Sequence, residues 1–146
     1  MPTRRDIDGE AVVADRWPVD GPHSADALGE AMLALQHLIR YANHATLDAP
    51  ARAVPEPQDA ATIVLRLGDA LGGLPQLCDQ LAHRADRFAA DPALCAADTV
   101  SHEPGVQAAI AAEALRELAA AAARLRDLAR AAASPLDTLW LDPDQP

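Results

Sequence analysis

Three long segments of the chain repeat their apolar residues every three or four positions, the spacing of one face of an α-helix. Ser24 precedes the first segment, which ends at Asp48-Ala49-Pro50, and its hydroxyl suits a helix N-cap. We therefore predict a first helix over residues 24–47. Its apolar positions step by four and three, as in helices packed at a shallow angle; they are Leu28, Met32, Leu35, Ile39 and Ala42.

The second segment contains Gly72, Gly73 and Pro75, three residues that usually interrupt a helix. Its apolar positions nevertheless keep one register through the interruption: Ala60, Val64, Leu67, Leu71, Leu74, Cys78, Leu81, Ala85 and Phe88. Two separate helices would have no reason to share that register. We therefore predict one helix over residues 58–90, kinked because Pro75 has no amide hydrogen to donate. A functional hinge at these residues is the alternative.

The third segment runs from Pro104 to Ser134-Pro135 and predicts a helix over residues 104–133. Its expected packing positions are mostly alanine, which allows helix axes to approach closely; they are Ala111, Ala114, Leu118, Ala121, Leu125, Leu128 and Ala132. The predicted fold is all-α, an antiparallel three-helix bundle in residues 24–134 with a kinked long second helix and irregular termini. Residues 1–23 form a flexible or docked arm, and residues 135–146 an acidic tail.

Composition narrows the function classes. All twelve Lys+Arg positions are arginine, so the chain lacks the lysine of a P-loop or of a Schiff base. The net charge of −10 repels phosphate backbones and anionic lipid, so nucleic acid is an unlikely partner. No apolar run suits a signal peptide or a membrane span, so we expect a cytoplasmic protein without a membrane partner. Its two cysteines would be reduced there, with Cys78 in the core.

A second stripe on the first helix is a candidate surface for a protein partner or a second subunit. It lies away from the predicted core and again steps by four and three, with Tyr41 beside it; its residues are Leu33, His37, Arg40, His44 and Leu47. The two histidines are seven residues apart, or about 10.5 Å along a helix, which is too far for one zinc ion. A solvated face, or one covered by an arm, is the alternative interpretation.

The C-terminal run "LDTLWLD" is the other candidate partner-binding segment, through Leu139, Trp140 and Leu141. Both tryptophans, Trp17 and Trp140, fall outside the predicted helices, although tryptophan buries a large area when it packs. Either they dock back onto the bundle, or the tail is a short amphipathic motif that folds against another protein.

Two residue groups resemble catalytic sites only weakly. Asp79, His83 and Asp86 flank the predicted core of the second helix and could hold a divalent ion or transfer protons, but such spacing usually reflects local helix electrostatics. Cys95 with His102 could suggest a thiol nucleophile, yet no third group orients them. The sequence predicts no catalytic, cofactor or metal site and no enzyme; a small hydrolase or metal enzyme is the third hypothesis.

An arginine face on the third helix is the basis of the alternative function. Arg116, Arg126 and Arg130 are predicted opposite the packing positions, and Glu113 and Asp127 are interspersed among them. Opposite charges three residues apart stabilise a solvated helix. The alternative is a DNA-associated regulator that binds phosphates through these arginines.

The phrase "LPQLCDQL" in this Ala-rich chain resembles small helical proteins that actinobacterial plasmids and integrative elements encode. The resemblance covers little more than the second helix, and it implies an accessory role without a catalytic motif. The leading hypothesis is a non-enzymatic protein-protein interaction or assembly module, because apolar positions exceed what the core requires.

Overall fold

The computed structural model describes residues 7–97 and 101–142. Every regular element in these two ranges is an α-helix, which confirms the predicted all-α class. The helices belong to two compact units, and the chain divides after Ala53. In chain order the helices are α1 (Gly9–Arg16), α2 (Ala25–Asp48), α3 (Pro50–Ala53), α4 (Pro57–Ala89) and α5 (Pro104–Leu136).

The first unit contains α1, α2 and α3. Ser24 caps α2 as predicted, because its Oγ accepts a hydrogen bond of 3.0 Å from the N–H of Ala27. The helix ends at Asp48, within one residue of the expected boundary, and Ala49 follows as its C-cap. None of the residues of α2 is buried.

Two short helices lie where the sequence predicts irregular chain. α1 occupies residues of the expected N-terminal arm, where Asp8 Oδ1 accepts a hydrogen bond of 3.0 Å from the N–H of Ala11. α3 occupies the proline-rich linker, beginning at Pro50, whose fixed φ suits a first helical position. Periodicity could not reveal either helix, because eight and four residues are too few to show a repeating face.

The second unit is a helical hairpin of α4 and α5. Three contacts show that the helices are antiparallel: Gly68 approaches Ala129, Asp86 pairs with Arg116, and Gly105 approaches the carbonyl of Ala89. A Cβ atom added at Gly105 would lie 2.9 Å from the Ala89 oxygen, so only glycine fits there. The connection between the helices is therefore held tightly at the start of α5.

The long second helix is continuous. α4 passes through Gly72, Gly73 and Pro75 without interruption, so the prediction of one helix over residues 58–90 is confirmed against two separate helices. At its start, the N–H of Glu56 donates to Asp59 Oδ2 at 3.1 Å. Gly72 has a packing role as well: a Cβ atom at this position would lie 3.2 Å from Arg126 Cδ.

Small side chains form the buried contact of the hairpin, which we call the seam. Its buried residues are Ala61, Gly68, Cys78 and Ala82 on α4 and Ala112, Ala119, Ala122 and Ala133 on α5. The largest of these side chains is that of Cys78, which confirms its predicted place in the core. Since such residues bury little area each, the helices gain mainly from close backbone approach and dispersion contacts.

On α5 the buried residues each follow a predicted packing position by one residue, as do Ala61, Gly68 and Ala82 on α4, whereas Cys78 is itself a predicted packing position. The predicted 4-3 rhythm is present, but Leu67, Leu81 and Phe88 of α4 are 42–44% exposed. On α5, Leu118, Leu125 and Leu128 are 51–64% exposed. The prediction of these six residues as seam residues is therefore wrong. The physical reason is size: the added Cβ at Gly68 would already lie 3.1 Å from Ala129 Cβ, and a leucine there has no room.

The C-terminal boundary of α5 also differs from the prediction. The helix passes Pro135 and ends at Leu136, where residues 135–146 were expected to be tail. The N–H of Asp137 donates to the Ala133 carbonyl at 3.0 Å. The last helical turn therefore closes even though Pro135 has no amide hydrogen to donate.

Replacing Gly73 by alanine should stabilise the hairpin. No atom lies within 4 Å of a Cβ built at Gly73, so Gly73→Ala gains helix propensity without a steric cost, by about 0.5–1 kcal/mol. Urea unfolding followed by circular dichroism measures this change. An unchanged or lower free energy of unfolding would contradict the open environment of Gly73.

Gly68→Leu, five residues earlier in the same helix, should have the opposite effect. The side chain would meet Ala129 at the seam, and overpacking of this kind costs about 1–3 kcal/mol. The same urea experiment provides the measurement, with Gly73→Ala as the matched glycine control. Equal stability of Gly68→Leu and the unsubstituted chain would show that α4 and α5 do not approach each other here.

Candidate protein-interaction surface

Large apolar side chains remain exposed along one side of the hairpin. Each of these side chains is 42–64% exposed. All except Ile110 come one position before a buried or half-buried residue of the same helix, and Ile110 lies one helical turn from such a residue. We call this surface the leucine face; it consists of Ile63, Leu67, Leu81 and Phe88 on α4 and Ile110, Leu118, Leu125 and Leu128 on α5.

Helix geometry places the two halves of the leucine face on the same side. Each residue is rotated about 100° from the one before it, and reversing one helix reverses that rotation as viewed along a common axis. Residues that precede seam positions on antiparallel helices therefore point to one side, and residues that follow them point to the other. The ion pair of Asp86 with Arg116 supports this geometry. Each of the two residues directly follows a half-buried residue, Ala85 on α4 and Leu115 on α5.

The leucine face is mostly apolar. Ala70, Leu74, Ala114 and Ala121 lie between its large residues, together with the charged residues Arg84 and Glu117 at the same helical spacing. Charged side chains concentrate on the other side of the hairpin or at the margins. At one margin, the guanidinium carbon of Arg84 lies 4.4 Å from the centroid of the Phe88 ring, a cation–π contact that keeps the arginine beside the apolar surface.

An apolar pocket extends the leucine face at the end near the α4–α5 connection. Phe88 belongs to both, and the pocket is also lined by Leu94, Cys95, Pro104 and Gln107. The Cys95 thiol is exposed and donates to the Ala93 carbonyl at 3.5 Å. His102 instead contacts Ser101 Oγ through Nδ1 at 3.1 Å, so each of these two side chains makes its contact within its own stretch of chain.

The predicted stripe on α2 is exposed along its whole length. Leu33 is 45% exposed, Tyr41 73% and Leu47 77%, while His37 and Arg40 are also exposed. His44 Nδ1 lies 3.7 Å from Asp48 Oδ2, one helical turn away. The predicted core positions of α2 are exposed too, at 41–49% for Leu28, Met32, Leu35 and Ile39. Exposure therefore does not distinguish the two stripes of this helix.

The C-terminal candidate segment is an exposed apolar run that follows α5. Leu139, Trp140 and Leu141 are 50%, 75% and 60% exposed. The N–H of Leu139 donates to the Leu136 carbonyl at 3.2 Å, and Thr138 Oγ1 donates to the Pro135 carbonyl at 2.8 Å. These bonds hold the start of the run against the helix end. Trp17, the other tryptophan, is half-buried.

His83 and Asp86 make separate polar contacts, and the contact of His83 is with the backbone of Asp79. His83 Nδ1 lies 2.7 Å from the backbone carbonyl of Asp79, while Asp86 forms its ion pair with Arg116. Within residues 7–97 and 101–142, no three His, Cys, Asp or Glu side chains converge as a metal site would require. The ion pair of Asp86 joins α4 to α5, while the contact of His83 lies within one turn of α4.

The three arginines of the predicted basic face occupy different environments. Arg116 is held by Asp86 and also lies 3.5 Å from Glu113 Oε2. Arg126 lies against Gly72 at the seam, so its predicted position opposite the packing surface is wrong. Its Nε is buried without a hydrogen-bond partner and lies 3.7 Å from Asp127 Oδ1. Two of the three cations therefore contact protein and do not form a continuous basic surface.

Comparison with protein-family models, curated proteins and solved structures finds no match for this chain. Across the part of the chain that the structure describes, none of the helices combines the length and apolar character needed to cross a bilayer. The sequence pattern places six of the eight leucine-face residues in the core and does not single out Ile63 or Ile110. The available signal was the run of alanines directly beside the leucine face, from Ala119 to Ala123 on α5.

Asp86→Asn should destabilise the hairpin only slightly. Both side chains of the Asp86 and Arg116 pair are about two-fifths exposed, and exposed ion pairs contribute about 0.2–1 kcal/mol. The loss should shrink as salt is added. Urea unfolding at low and high salt measures it, with Asp79→Asn as the control on the same side of α4. A loss several times larger would indicate that Asp86 has a role beyond this pair.

Proposed function

We propose that this chain is a non-enzymatic protein-protein interaction or assembly module that works in the cytoplasm. The observation that carries the proposal is the leucine face, a mostly apolar surface on one side of the α4–α5 hairpin. Exposed apolar patches of more than a few hundred Å² are typical of sites that bind proteins or membranes. The chain's net charge of −10 disfavours an anionic membrane and favours protein.

Two smaller surfaces support the same function. The outer stripe of α2 combines Tyr41 and Arg40 with Leu33 and Leu47, and tyrosine and arginine are enriched in protein interfaces. The tail presents Trp140, the residue type most often found as an interface hot spot. An assembly protein would use such exposed anchors for protein partners or for self-association.

The predicted antiparallel three-helix bundle is the alternative arrangement for these surfaces. In it the stripe of α2 from Leu28 to Ile39 would cover the leucine face of the same chain, and partners would bind the outer stripe of α2 and the tail instead. The resemblance of "LPQLCDQL" to proteins of mobile genetic elements supports an accessory role in such a system.

Partner capture tests the proposed function. We expect the tagged full-length chain to retain protein from nuclease-treated host lysate, and Leu125→Glu to reduce that retention at least about tenfold, because a carboxylate would be buried without a partner. Trp140→Ala should reduce retention of any protein that the tail binds. Mass spectrometry identifies and quantifies the retained proteins, including an untagged copy of this chain.

Leu65→Glu is the matched control for this experiment. Leu65 is 41% exposed, similar to the leucine face, but it follows Val64 and so lies on the other side of the hairpin. It should retain partners as the unsubstituted chain does. Failure of all forms to retain protein, together with a monomeric mass, would reject the interaction function.

A further inference from the structure

We propose that the leucine face binds the leucine face of a second copy of this chain, so that two hairpins form a four-helix bundle. The inference rests on the proposed function and names its partner. A two-fold dimer uses the same patch on both subunits, and four helices that bury 4-3 stripes form a common stable bundle.

The width of the leucine face favours two helices over one as its occupant. Each helix of the hairpin contributes its own stripe, and Leu128 and Ile110 lie farther around α5 from the seam than Leu118 and Leu125. A single helix in the groove between α4 and α5 covers mainly the residues nearest the seam. A second hairpin brings two stripes and covers the outer residues too, including Leu128, which at 64% is the most exposed residue of the face.

The area of the leucine face suits a stable dimer. From Ile63 to Phe88, α4 extends about 37 Å at 1.5 Å per residue, and two helices side by side are about 20 Å wide, giving roughly 700 Å². Specific protein interfaces bury about 800 Å² on each partner. Burying the whole face therefore requires a surface of about its own size, which a second copy provides.

The distribution of charge also favours a copy. The chain is strongly acidic, but the leucine face is mostly apolar and its charged residues Arg84 and Glu117 have opposite signs, so pairing two copies brings little net charge together there. Interfaces between identical subunits are typically more apolar than interfaces of transient complexes. Because the two copies repel each other only at a distance, added salt should leave the association unchanged or strengthen it.

Sedimentation velocity of the full chain tests the inference. Over about a hundredfold range of concentration, mass action should shift the particle mass toward twice the chain mass of 15.3 kDa. A reducing agent is included because the exposed thiol of Cys95 could otherwise link two copies. Leu118→Glu with Leu125→Glu should raise the dimer dissociation constant at least about a hundredfold, since two carboxylates would be buried.

Leu65→Glu serves again as the control and should dimerise normally. Circular dichroism verifies that the double variant remains helical; if it unfolds, Leu118→Ala with Leu125→Ala replaces it and should weaken the dimer at least about tenfold through lost apolar burial. A monomer at every concentration, or a dimer that is equally stable with the face substituted, would overturn the inference. So would an association that weakens steeply with salt.

The same variants separate this inference from the proposed function. A chain that is monomeric but retains another protein, with retention lost in Leu125→Glu, supports an interaction module whose partner is not a copy. A monomer that retains no protein rejects both. If the chain is a monomer and substitution of Leu118 makes α2 more sensitive to protease, the leucine face binds α2 of the same chain. That result would overturn self-association.

Discussion

The close approach of α4 to α5 at Gly68 is the constraint from which the rest of the second unit follows. A methyl group added there would already crowd Ala129, so neither helix can place a large side chain at the contact. The buried positions are consequently alanine, glycine and one cysteine. Most leucines of the two helices therefore lie beside the seam, where Leu71, Leu74 and Leu115 are half-buried, or on the exposed leucine face.

The residues that hold the hairpin together are therefore different from the large apolar residues that it exposes at its surface. The seam relies on backbone proximity and many weak dispersion contacts, and it buries little hydrophobic area. The leucine side chains, which could stabilise a core most strongly, remain at the surface. An isolated pair of helices gains little hydrophobic free energy while these leucines are exposed to water. Covering the leucine face by another surface would recover most of that stabilisation.

Local features of the fold could be predicted from the sequence, while features that depend on a neighbouring helix could not. Ser24 as a cap, the continuity of α4 through Pro75 and the burial of Cys78 all follow from residue chemistry and register. The position of the seam does not, because α5 has alanine at neighbouring positions such as Ala111 and Ala112, so two adjacent stripes have the same period. Only Gly68 on α4 selects between them.

Arg126 was misplaced for the same reason: Gly72 opposite it provides room that a sequence pattern for α5 alone cannot show. The candidate residues on α2 and in the tail are exposed, whereas six residues of the larger leucine face were assigned to the core.

The two glycine contacts have a mechanical consequence for the hairpin. Gly105 meets the backbone of Ala89 beside the connection, and Gly68 meets Ala129 toward the open end. Sliding α5 along α4 by one turn in either direction would replace Gly105 by Ser101 or Ala109 against the Ala89 backbone, where a Cβ atom would already lie too close. The contact at Gly105 therefore fixes the register of the contact at Gly68. The two contacts hold the helices in one register at two separated points. The distance along the hairpin between the leucines of α4 and those of α5 is therefore fixed. Any surface that docks there meets a rigid template.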